Sequence, residues 1–203
     1  MALSSIFLIF YILLTLAISA FNAWSVGSMW FETKVTGGIP RLMAYAGAIM
    51  SASGFTYVYA ILIGMAANAF GFLDDAHFGM MLSLVYLFLI IPIIGSGIAI
   101  TINSWIIAYK QRTWTNMGIA GWNTFAQAYN MYNAISGIPA SIKSVGGLFS
   151  GKTDKDNIQA KIVIGIAVVA ILGGALTTIF IIRTVARSHA NNFKQKLRSG
   201  ATA

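Results

Sequence analysis

Two sets of residues in this sequence have types and spacing that could support chemistry. The first is Asp74, Asp75 and His77, two carboxylates and an imidazole side by side. Such a set can hold a divalent cation weakly, or it can simply cap the turn of a helical hairpin, which is the commoner use of an Asp at a helix start. The second is Asn116, Asn123, Gln127 and Asn130. On a helix at 100° per residue these four carboxamides fall within about 60° of one another, and Gly121, Phe125, Tyr129 and Tyr132 take the opposite side. A carboxamide both donates and accepts, so the face suits hydrogen bonding between helices, a wet uncharged pore wall, or a helix lying at the membrane surface.

No constellation for catalysis accompanies them. His77 and His189 lie in different segments with no metal-ligand spacing around either. No serine stands in a nucleophile-elbow pattern. Cysteine is absent, which rules out disulfides and thiolate metal sites. The sequence therefore implies no catalytic residue, no resident metal and no cofactor, and the chain reads as non-enzymatic.

The elements that must position these residues are membrane helices. Of 203 residues, 58% are hydrophobic and 9% charged, where a soluble domain of this size carries about a quarter charged. The charges gather in short clusters, leaving long uncharged runs. Four strong spans follow at about 5–23, 42–72, 78–109 and 162–182, each long enough for a hydrocarbon core of about 30 Å. The first could be mistaken for a signal peptide, but its start lacks Lys or Arg and no small-x-small site closes it, so it reads as a retained span. Pro92 interrupts the third span, with Gly95 and Gly97 just beyond it, and predicts a kink or two half-helices. Residues 113–138 form a semi-polar helix. Residues 139–161, with Pro139, Gly146, Gly147 and Gly151, read as a loop, and 183–203 form a basic tail.

The expected fold is all-α. It is a polytopic helical bundle of four strong transmembrane helices, with a fifth that crosses the membrane or lies amphipathically at its surface. The whole chain is one integral membrane domain. Within the second span, Ala44, Ala48 and Ala52 recur every four residues, as do Gly47 and Ser51. Rows of small side chains let helix backbones approach closely where no hydrophobic force joins them.

The net charge of +8 points to a membrane surface. No Lys/Arg run interleaves with stacking aromatics, as single-strand nucleic-acid binders require, whereas basic loops and an anionic leaflet attract each other. Orientation depends on residues 113–138. With four crossings, eight of the 13 basic residues face the cytoplasm and the tail does not; with five, nine do, tail included. Both arrangements put the Asp74–Asp75 turn outside and Lys110 and Arg112 inside, in a bacterial or archaeal cytoplasmic membrane.

The absence of any Asp, Glu, Lys, Arg or His within the strong spans argues against proton-coupled transport and voltage sensing. The expected function is that of a structural or assembly subunit of a multi-protein membrane complex, such as a secretion, conjugation or translocation machine. Its partners would be lipid, other membrane subunits or copies of itself, and anionic lipid at the basic tail. The alternative is a homo-oligomeric channel for small solutes or ions, lined by the Asn116–Asn130 face or by the Pro92–Gly95–Gly97 break.

Overall fold

In the computed structural model, which describes residues 2–36, 38–150 and 153–200, five long helices run alternately up and down. They are α1 (Ala2–Thr36), α2 (Gly38–Ala69), α3 (Asp75–Lys110), α4 (Trp114–Leu148) and α5 (Asp154–Gly200). All but α4 are long and apolar enough to span a membrane. This is the all-α architecture of an integral membrane protein.

The connections are short because the helix ends are capped locally. Helix α2 closes on Gly71, whose φ of 75° suits a residue without a Cβ. Phe72 N–H bonds back to Ala67 O at 2.8 Å and Gly71 N–H to Asn68 O at 3.0 Å, the paired closure that a left-handed glycine permits. Two residues later Asp74 caps α3, its Oδ1 accepting the His77 N–H at 2.9 Å and lying 2.8 Å from His77 Nδ1. These bonds from His77 hold the Asp74 carboxyl below its ordinary range. The Asp74–Asp75–His77 set is thus a capped hairpin turn, and among the described residues no group of three metal-ligating side chains occurs. At the start of α5, Thr153 and Asp156 exchange backbone-to-side-chain bonds in a capping box.

Helix α2 is the centre of the bundle, packing on α1, α3 and α5. The small residues of its sequence rows are what bring the neighbours close. Ser51 is fully buried and donates to Ser19 O of α1 at 2.8 Å, so it accepts from Thr178 of α5 at 3.1 Å. Gly47 seats Val26 of α1. A Cβ on Gly174 of α5 would lie 2.7 Å from Ala52 O and 2.6 Å from Thr56 N, so at that point the two backbones touch. Ala44 is buried with Ala23, Val26 and Ile182, and Ala48 packs against that cluster.

One of the two alternatives at Pro92 falls away, and the loop expected after α4 changes. Helix α3 is continuous through Pro92 and does not split into two half-helices; lining a packed bundle, a membrane helix tolerates the lost hydrogen bond, and Ser96 Oγ donates to Pro92 O at 2.6 Å. The loop expected over 139–161 is mostly helix: α4 runs through Pro139 to Leu148 and α5 starts at Asp154. Leu148 is buried in the core shared with Met81 and Val163, so tertiary packing holds the last turns of α4 against the proline and glycines. The basic tail likewise continues α5 to Gly200.

The polar seam and outer face of α4 as the candidate functional site

Helix α4 packs principally on α3 and lies antiparallel to it along its length. Near one end Trp105 Nε1 donates to Thr124 Oγ1 at 2.8 Å; near the other, Met80 lies against Gly147. Between these points Thr101 Oγ1 donates to Asn123 O at 3.3 Å, Gln127 Nε2 to Ile94 O at 3.1 Å, and Tyr86 Oη to Asn133 O at 2.9 Å. The result is a ladder of hydrogen bonds from side chains to the opposite helix.

Each carboxamide of the sequence pattern has a distinct place in this seam. Asn116 serves the α3–α4 turn, donating to Gln111 O at 3.0 Å while its own N–H bonds to the capping Thr113. Asn123 is half-buried and contributes its backbone carbonyl. Gln127 is 7% exposed, and its carboxamide occupies the space a Cβ would take at Gly97. Its Oε1 has no conventional donor and points along the Gly97 Cα–H direction, a weak contact of the kind that recurs between closely packed helices. Asn130 lines a cleft of about 270 Å³ with Tyr11, Tyr57 and Tyr86. The carboxamide face thus turns toward α3 instead of toward bulk water. Gly97, grouped in the sequence with the Pro92 break, is the seat of Gln127, while Gly95 faces open space.

The other side of α4 has no intrachain cover. Trp122, Phe125, Tyr129 and Tyr132 are exposed, with Gly118, Gly121 and Ala128 open between them. Trp122 and Phe125 lie 6.0 Å apart in a tilted pair. Among the described residues, neither the Tyr129 nor the Tyr132 hydroxyl has a hydrogen-bond partner. Both residues are more than about 20 Å from either end of α4 at 1.5 Å rise per residue.

Sequence reasoning missed Tyr86, Thr101 and Trp105, which supply the α3 half of the seam. Tyr86 stands alone in an apolar run, and Thr101 and Trp105 flank Asn103 and Ser104 in a short stretch that does not by itself show which side chain reaches a neighbour. The small-residue row marks Ser51 for close packing; the structure adds that it is a hydrogen-bonding node between three helices.

The chain matches no family model, no curated protein and no solved structure at a significant level.

Proposed function

We propose that the chain is a non-enzymatic assembly subunit of a multi-protein membrane complex, of the kind found in secretion, conjugation or translocation machines, and that the outer face of α4 is its docking surface. The observation that carries this reading is the pair of unpartnered hydroxyls on Tyr129 and Tyr132. From Thr113 to Ile142 the sequence has no charged residue, about 45 Å of helix at 1.5 Å per residue, and α4 lies along α3 throughout. Helix α4 is therefore read as a fifth crossing. Its polar face packs toward α3, with Gln127 Nε2 bonded to Ile94 O, and its tyrosines lie deep in the bilayer, too far from either surface to reach water. A hydroxyl left without a partner in hydrocarbon is costly; a neighbouring helix that fits between the open glycines would supply one.

Charge distribution supports the orientation. Lys34, Arg41, Lys110, Arg112, Arg183, Arg187, Lys194, Lys196 and Arg198 belong to one end of the bundle, with Glu32 as the acidic residue there. The opposite end combines Lys143, Lys155 and Lys161 with Asp74, Asp75, Asp154 and Asp156. The positive-inside rule puts the first end in the cytoplasm of a bacterial or archaeal cell and the Asp74 turn outside.

A closed ring of identical chains with the α4 face toward a lumen is a second reading, favoured by the same two hydroxyls, which would then meet water. Purification in mild detergent, with mass determination and identification of co-purifying chains, separates the two. A stable heteromeric complex supports the assembly subunit; a ring of this chain alone supports the channel; a monodisperse monomer from gently extracted membranes contradicts both. A cysteine placed at Ser150 and labelled from each side of the membrane tests the fifth crossing, which requires labelling from the outside.

A further inference from the structure

We propose a second site: the groove between α1, α2 and α5 at the basic end binds an anionic phospholipid, with Arg183 and Arg187 on its phosphate. This reading does not depend on α4. The groove encloses about 600 Å³, the size of pocket that holds a drug-sized ligand. Trp30 and Tyr45, edge to face with centroids 6.2 Å apart, form one wall. Ile179 and Ile182 form the other, and Ala48 and Ala186 leave the space between them open. Arg183 and Arg187 are one helical turn apart, so both reach the same mouth.

Three features select the ligand. Among the described residues neither arginine has a carboxylate within salt-bridge distance; the one such contact is His77 with Asp74 at the opposite end. Two unpaired guanidinium groups offer planar forks suited to phosphate oxygens. Second, Arg183 is the first charge after the uncharged run from Ile162 to Ile182, which puts it at the depth where headgroups begin. The Trp30–Tyr45 pair has the amphipathic character of an interfacial belt. Third, the groove below the arginines is walled by apolar side chains. A free phosphate would leave that space unfilled, whereas an acyl chain buries it.

The test is native mass spectrometry of the full chain in mild detergent, titrated separately with phosphatidylglycerol, phosphatidylcholine and inorganic phosphate. The proposal predicts one retained phosphatidylglycerol, bound more tightly than phosphatidylcholine and not displaced by inorganic phosphate. In R183Q/R187Q its affinity falls about thirtyfold, the factor for losing two cations at a charged surface, while K110Q/R112Q, which removes the same charge at the α3–α4 turn of the same end, changes little. Filling the groove with Ala186→Leu abolishes retention although both arginines remain. Equal loss in the two charge-matched double variants overturns the site in favour of a diffuse basic surface. Retention in Ala186→Leu, equal binding of both lipids, or displacement by inorganic phosphate overturns it as well.

Discussion

Helix α1 and helix α4 both turn broad apolar faces outward, and the two faces differ in kind. That of α1 is Ile9, Phe10, Leu13, Leu14 and Phe21, all exposed, side chains with no polar atom to satisfy. That of α4 is Trp122, Phe125, Tyr129 and Tyr132, with open glycines beside them. Lipid satisfies the first completely and leaves hydroxyls unpaired on the second. The inner faces differ in parallel. Helix α1 meets α2 and α5 through Gly27, Gly47 and Ser51, where backbones come close, and α4 meets α3 through side chains that reach across to carbonyls. The first seam is a close fit fixed by shape. The second is a ladder of separable bonds on a helix that packs principally on one neighbour.

The largest effect should come from the close-fit seam. Gly174→Leu forces a side chain against the α2 backbone at Ala52 and Thr56, and should cost about 3 kcal/mol, the upper part of the overpacking range, in a denaturant titration of the detergent-solubilised chain. If it were tolerated, α2 and α5 would not be locked as described.

The hairpin turn that joins the two halves should come next. Asp74→Ala removes the α3 cap and should cost about 1 kcal/mol at neutral pH. Because the Asp74 carboxyl titrates below its ordinary value near 3.8, its contribution is complete above that value and disappears as pH falls through the lowered one. The difference between wild type and variant, followed by unfolding at stepped pH, should therefore close on acidification. A difference that stayed constant would remove the cap from the account.

The polar seam should respond more weakly and in a coupled way. Gln127→Ala should cost about 0.6–1 kcal/mol, the usual scale of a hydrogen bond between membrane helices. Gly97→Ala displaces the same carboxamide, so it should destabilise the wild type yet add little in the Gln127→Ala background, a coupling that a double-mutant cycle reads directly. Additive losses would mean that Gln127 does not sit on Gly97. Smallest of all, Tyr129→Phe with Tyr132→Phe should leave the stability of the isolated chain within about 0.5 kcal/mol and weaken retention of partner chains during purification. Unchanged retention would reduce the α4 face to a lipid surface like that of α1.

The same contrast explains what could be read from sequence. The α1, α2, α3 and α5 spans were legible because absence of charge over twenty or more residues has one physical meaning in a chain this apolar. Helix α4 was ambiguous because hydropathy sums its two faces: the carboxamides that lower it lie on the side packed toward α3, while the exposed side is aromatic. The helical wheel separated the faces correctly and could not say which way they turn. The turn from Gly71 to His77 was legible from residue type, since its caps are local. Helical continuation through Pro139 was not, because it depends on Leu148 reaching a core built by α2, α3 and α5. The partners in the seam, Tyr86, Thr101 and Trp105, become visible once the register of α3 against α4 is known.

The central claim is that the outer face of α4 is covered by another membrane helix while that of α1 meets lipid. The chain has no cysteine, so Tyr132→Cys and Phe10→Cys can each carry a single photoreactive thiol label in native membranes. Protein adducts of defined mass are expected from position 132 and lipid adducts from position 10. Lipid adducts alone from position 132, with protein adducts from position 10, would contradict it.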